Sequence, residues 1–396
     1  MRTGLPVVAL FLAVVSLPST DTRAQWQVDS KDGKANFKFG LLLQGQYQGL
    51  QSEVASTGET YWSQNLFIRR ARLIFAGKFE KVSFFVETDS PNLGKWEKSS
   101  TAADIGEKNA GNIYIQDAWL TYTHDDAFMV DAGMFLVPVS YQSLQSAGSL
   151  MAVDFGPYAF QDSIPTDERV GRDYGLQVRG YPVKKHLEYR VGLVQGLRNY
   201  DLDAAGNALN KNNQPFRVFG RVQYHFFDPQ ADFLYTGTTL GERKILDVGV
   251  SCTTQADYHT WSGSVFFDFP IDGNGLTVQA DYVDYDGGTT LPLGTTPPTL
   301  GNLGEEKVAF FEAGFYIKAA RLLPFVQWSG VRYDDVPATN TSLATRQDKI
   351  EAGLAWFPHG HKFNVKLAYA QLGTDRNDGE VPDRYQVVLQ AQLFYF

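Results

Sequence analysis

Sulfur is nearly missing from this 396-residue chain, which has Cys 1 and Met 4. Cys252 has no partner within the chain, so a disulfide framework is excluded. Histidine is scarce at 6, and there is neither a G-x-S-x-G elbow nor a phosphate-cradling glycine loop. Positive charge is the minority sign, with Lys+Arg 35 against Asp+Glu 44 and a net charge of −9, which argues against a nucleic-acid partner. After the first residues no apolar run approaches the ~20 residues that a membrane helix needs. Transmembrane helices are thereby excluded, but a membrane barrel, whose strands alternate apolar and polar residues, is not.

The chain opens with Arg2, an apolar run from Leu5 to Leu17, and then Pro18, Ser19, Thr20, Thr22 and Ala24. That order is a secretory signal peptide over 1–24, cleaved after Ala24. The remainder, 25–396, reads as one barrel. Tyr 20, Phe 28, Trp 7 and Gly 37 make a strand-rich, turn-rich mixture.

Period two dominates the mature chain, because successive strand side chains point to opposite faces. Phe37, Phe39, Leu41, Leu43 and Tyr47 alternate with Asn36, Lys38, Gln44 and Gln46. Val218, Val222 and Tyr224 alternate with Arg217, Arg221 and Gln223, and Val365, Leu367 and Tyr369 with Asn364 and Lys366. Rows this long suit the ~9 to 11 residues of a membrane strand better than the ~5 to 6 of a soluble sandwich. The spacing predicts an all-β, transmembrane antiparallel β-barrel of sixteen strands. Connections fall into two sorts. Those at 49–63, 91–111, 138–171, 197–214 and 286–306 are long, whereas those near Phe79, Asp126, Gly273 and Ala319 are tight, as outside loops and periplasmic turns should be. Residues 227–244 are too long for a turn and fit no strand, so an insertion or an unrecognised strand is expected there. The final strand carries Tyr385, Val387, Leu389, Ala391, Leu393 and Tyr395 on one face, and Phe396 reads as out of phase with that row, as a local bulge would make it. Trp119, Tyr122, Trp356 and Phe357 fit interfacial aromatic girdles.

Several fragments, in this order, carry a family likeness: Arg69-Arg70-Ala71-Arg72-Leu73; Asp117-Ala118-Trp119; Gly133-Met134-Phe135 with Pro138; Gly171-Arg172-Asp173 with Gly175; Gln195-Gly196; and Leu240-Gly241 with Lys244-Ile245-Leu246 and Gly249. Over nearly all of its mature length the chain resembles the phosphate- and polyphosphate-selective porins. The resemblance implies an outer-membrane barrel, usually a homotrimer amid lipid and lipopolysaccharide, whose basic pore conducts small anions without cofactor or metal.

Anion preference needs cations facing water in a narrow passage, and Arg adds bidentate contacts. By alternation Lys38, Arg70, Arg72, Lys78, Arg190, Arg217, Arg221, Lys318 and Lys366 face the lumen, and Arg172 joins them. Glu87, Glu188, Asp247, Asp281, Glu312 and Glu351 share that phase, so a cross-strand charge network is the competing reading. Strict alternation turns Arg69 toward lipid at ~2 to 4 kcal/mol, which predicts an interface, a subunit contact or a bulge there. The connection 138–171 is the candidate pore-constricting loop, with Ser140, Tyr141, Gln142, Ser143 and Arg169. Its uncharged run from Val137 to Val153 departs from relatives that carry a Lys near Leu136, which puts high-affinity phosphate selection in doubt and keeps a general porin as the alternative.

His359 and His361 read as an exposed turn pair rather than metal ligands. Asp375, Asp378, Glu380 and Asp383 read as a solvated acidic loop. An outer-membrane hydrolase remains the rival enzyme class, and a plugged structural barrel the third.

Overall fold

In a computed structural model of the protein, residues 26–52, 60–97, 107–158, 171–196, 200–202, 208–210, 215–256, 258–286, 305–334, 336 and 343–396 are described. The signal peptide and Arg169 lie outside the described residues. Sixteen long strands run in chain order: β1 (Ala35–Gln51), β2 (Trp62–Phe79), β3 (Val82–Asp89), β4 (Tyr114–Asp125), β5 (Phe128–Leu136), β6 (Arg172–Gly180), β7 (Leu187–Val194), β8 (Arg217–His225), β9 (Ile245–Gln255), β10 (Tyr258–Ile271), β11 (Asn274–Asp286), β12 (Glu306–Tyr316), β13 (Leu322–Tyr333), β14 (Ala344–Trp356), β15 (Phe363–Arg376) and β16 (Gly379–Tyr395).

Each strand pairs antiparallel with the next, and β16 returns to β1 from Leu41↔Tyr395 to Leu50↔Gln386, so the sheet closes and no long edge is left. Inside this seam Gln44 donates to Gln392 (2.8 Å) and Gln390 donates to Gln46 (3.1 Å), a cross-strand amide ladder. A short strand, Trp26–Asp29, pairs with β1 where β16 has ended. Outside, Leu120, Val191, Val250 and Leu367 are exposed for lipid; inside, Gln44, Arg72, Gln223 and Gln390 are buried. Tight turns use left-handed residues, as at Asp272 (φ 48) and Gly273 (φ 79) between β10 and β11.

Two bulges break the alternation. On β2, Arg70 faces Gln44 and Ile68 faces Gly45, so Arg69 is the extra residue. On β4, Asp117 faces Glu87 and Ile115 faces Thr88, so Gln116 is extra. Each extra residue lets two consecutive side chains turn inward. Arg69 accordingly does not face lipid.

The interior is filled rather than hollow along much of its wall. The first part of 138–171 enters the barrel, with a single 3₁₀ turn at Gln142–Leu144. Residues 226–244, between β8 and β9 at the end carrying the tight turns, fold back inside and meet it. Ser146 N–H donates to Tyr235 O (2.9 Å), Tyr235 N–H to Leu144 O (2.8 Å) and Gly237 N–H to Ser149 Oγ (3.0 Å). This accounts for the long connection that alternation left unread: its side chains meet the lumen wall instead of forming a strand. The buried clusters lie there too, one joining Leu136, Tyr141, Leu144, Tyr235, Ile245 and Phe266.

Other expectations shift with the wall. Trp119 and Phe357 are buried inside rather than in a girdle, while Tyr122 and Trp356 are exposed outside. Trp119 stacks between Phe85 (4.5 Å) and Phe233 of the inserted segment (4.3 Å). Phe396 needs no bulge, because it continues the inward row of Gln390, Gln392 and Phe394 and packs edge-on against Phe85 at 5.8 Å. Residues 375–383 are the hairpin joining β15 to β16, with Asp375 opposite Glu380.

Candidate functional site

A cavity of ≈ 540 Å³ remains between the loop and the wall built by β1 to β6 and β14 to β16. The β2 bulge aims Arg69 and Arg70 at the same loop carboxylate. Arg69 Nε donates to Asp154 Oδ2 (2.7 Å) and Arg70 Nη2 to Asp154 Oδ1 (2.6 Å), while Arg70 Nη1 is held by Gln44 Oε1 (2.9 Å). Burial alone would raise the Asp154 carboxyl, but Arg69 and Arg70 outweigh it and keep it well below the usual carboxylate range. One turn of the alternation further, Arg72 donates to Glu87 (2.8 Å) and Asp89 (3.0 Å). Arg172 on β6 donates to both oxygens of Asp117 (3.1 Å from Nε, 3.0 Å from Nη2 to Oδ2). Gln116, inward because of the β4 bulge, links the two systems: with its amide oxygen toward the guanidiniums it accepts from Arg72 Nη2 (2.9 Å) and Arg172 Nη1 (3.0 Å) and donates to Asp89 (2.7 Å). Lys349 also borders the cavity, paired with Glu351 at 2.6 Å.

The sequence of residues 37–302 matches the model of the family described as phosphate-selective porin O and P. The chain belongs to that family. Among solved structures, the outer-membrane channel DcaP of Acinetobacter baumannii is 15% identical with a TM-score of 0.56, covering 93% of this chain and 99% of that one. An anion-selective porin from Comamonas acidovorans is 10% identical with a TM-score of 0.55, covering 91% and 100%. A Salmonella typhi OmpF in complex with daunomycin is 13% identical with a TM-score of 0.57, covering 92% and 100%. At these identities the structures share the fold. No curated protein sequence matches the chain. The protein is thus an outer-membrane channel of porin architecture.

The expected basic ladder divides into three groups in this porin. Arg70, Arg72 and Arg172 line the cavity, joined by Arg69. Arg190, Arg217, Arg221 and Lys366 also point inward but are buried; Arg190, Arg221 and Lys366 brace the filling segments, whereas Arg217 packs on the wall strand β10. Arg190 pairs with Glu188 (2.5 Å) and donates to Phe233 O (2.9 Å); Lys366 donates to Leu150 O (2.7 Å) and Ala152 O (2.8 Å). Arg221 donates to Gln223 (2.6 Å) beneath the Tyr235 ring (5.8 Å), and Arg217 lies over the Tyr258 ring (5.0 Å). Lys38 and Lys78 sit near the short-turn end of β1 and β2. Lys318 is past the end of β12, exposed in a turn, because the strand stops at Tyr316.

Of the loop serines, Ser143 and Ser146 border the cavity, but Ser140 and Ser143 are buried and turned to one another. Ser140 and Ser143 bond reciprocally (2.9 and 3.1 Å), and Gln142 is buried. The Tyr141 ring stacks between Tyr235 (4.7 Å) and Phe266 (4.4 Å), its N–H donating to Asp281 (3.0 Å). Burial raises both tyrosine hydroxyls, which stay neutral. Alternation could not reveal Asp154, Gln116 or residues 226–244 as parts of this site; the adjacent Arg69-Arg70 pair was the one visible clue.

Proposed function

We propose that this outer-membrane channel passes small anions by passive diffusion along the wall formed by Arg69, Arg70, Arg72 and Arg172, with weak rather than high-affinity preference for phosphate. The observation that carries this is the convergence of four guanidiniums on one cavity, each already holding a carboxylate. Paired cations still attract and orient an anion in a passage poor in water. The acids beside them cancel much of the field that a dedicated phosphate site would need. The uncharged loop from Val137 to Val153 points the same way. Export by the signal peptide, contact with lipid and lipopolysaccharide, constriction of the pore by 138–171 and a homotrimeric assembly belong to the same reading.

The test is the reversal potential of reconstituted protein in a KCl gradient, with chloride then replaced by phosphate. A modest anion preference, with phosphate no more permeant than chloride, is expected. A cation-selective reversal potential overturns the reading, and strong phosphate selectivity replaces it with a dedicated phosphate channel. Crosslinking in detergent that yields three subunits supports the trimer, and a single subunit refutes it.

A further inference from the structure

Arg69 and Arg70 are neighbours in sequence, yet the bulge turns both into the barrel. Their guanidiniums approach the two oxygens of one carboxylate from different directions. Gln44 Oε1 fixes the second guanidinium, and Arg70 is almost wholly buried. A strand register, not the loop, therefore sets the spacing of the two cations, so the clamp persists whether or not the loop is seated. Asp154 fills it from a loop, in the position that a free carboxylate would take. Beside the clamp opens the ≈ 540 Å³ cavity, large enough for a small organic anion. Its nearest wall is aromatic: the Phe155 ring lies against the Arg70 guanidinium (5.4 Å), and Tyr158, Phe394 and Phe396 continue it.

We propose that the Arg69–Arg70 clamp is a carboxylate-binding site that Asp154 occupies in the resting channel, and for which a solute carboxylate with an apolar or aromatic body competes. The inference rests on the anion-channel reading and specifies its solute. A carboxylate entering the cavity exchanges one charge-assisted pair for another, so the step costs little net electrostatic energy. The apolar body adds burial against Phe155 and Tyr158, which inorganic phosphate cannot match and a short carboxylate matches only in part. Weak phosphate preference and binding of an apolar carboxylate thus stem from the same pairing.

The experiment uses full-length protein in planar bilayers. KCl current and reversal potential first establish an anion-preferring channel, independently of any carboxylate. Sodium benzoate, acetate or inorganic phosphate is then titrated against the chloride current. Benzoate should reduce the current saturably and at lower concentration than acetate or phosphate. In Asp154→Asn the internal competitor is neutral, and half-block by benzoate should fall about tenfold in concentration, ~1.4 kcal/mol. Arg69→Gln should instead raise it several-fold. An unchanged half-block concentration in Asp154→Asn, or benzoate no stronger than acetate or phosphate, overturns the proposal while the channel reading stands. If Asp154→Asn yields no folded barrel, Arg69→Gln decides alone, because the site requires weaker benzoate block there and an unchanged block removes it.

Discussion

Arg69 and Asp154, 85 positions apart in sequence, meet at 2.7 Å because Arg69 is the residue of β2 that has no opposite number on β1. On one side of it Phe67 points inward and on the other Arg70 does, so the bulge adds a residue without reversing either half of the strand.

Deleting Arg69 should therefore leave the barrel intact. Ile68 would stay opposite Gly45 and Arg70 opposite Gln44 in unbroken alternation, with Asp154 held by Arg70 alone. Deleting Ala71 instead, with the bulge absorbed, moves Arg69 into the inward place opposite Gln44 and Arg70 into the place of Ala71, which faces lipid at ~2 to 4 kcal/mol near midplane. Heat-modifiable migration in gels reads the difference: the Arg69 deletion should keep its heat resistance and the Ala71 deletion should lose much of it. Failure of both would show that the bulge is essential to closure.

Arg221 separates transport from support. Alternation places it on an anion path, but the structure encloses it under Tyr235 beside Gln223. Arg221→Gln should leave the reversal potential unchanged and lower the heat resistance of the folded barrel, because buried Asp281 would lose the charge of Arg221 that acts on it, at a cost of ~1 to 3 kcal/mol. A shifted reversal potential would return Arg221 to the conducting wall.

Gly237 lies where the two filling segments touch backbone to backbone. A Cβ there would come 2.6 Å from Ser149 O and 2.8 Å from Leu150 Cα, and neither is a flexible side-chain end. Gly237→Val should push 226–244 off the loop at ~1 to 3 kcal/mol of overpacking. Single-channel conductance should rise while the β-type circular dichroism stays the same. Unaltered conductance would mean that the inserted segment does not limit the current.

The strands were legible in the sequence because lipid and lumen each dictate one face, so Leu43 and Gln44, or Leu389 and Gln390, declare their sides by type alone. The bulges were not, since a bulge is a relation between two strands: nothing in Arg69-Arg70 or Gln116-Asp117 says which residue its neighbour leaves unpaired. Residues 226–244 were unreadable for another reason. Phe233 and Tyr235 bury against Trp119 and Tyr141 at positions set by the surrounding wall, which imposes no period on the chain. His361, read as one of an exposed pair, is likewise defined by a partner 123 positions away.

That partner makes docking of the inserted segment sensitive to acid. His361 lies in the short connection between β14 and β15, outside the spanning strands, and its Nε2 meets Thr238 O at 2.8 Å. Burial, with the charge of Lys366 adding to it and the Thr238 hydrogen bond opposing, lowers the imidazole to about 4. Freed from the segment it would titrate near ~6.5. The folded state thus binds fewer protons than the opened one between those values. The stability of the docked state is full above ~6.5 and is lost as pH falls toward about 4, by up to ~3 kcal/mol. Lowering the pH from 7 to 4 should increase conductance or current noise as 226–244 loosens. His361→Gln offers an amide donor to Thr238 without titrating, so its conductance should stay flat over that range. Equal acid responses in the two proteins would assign the effect to other groups and leave His361 a purely packing residue.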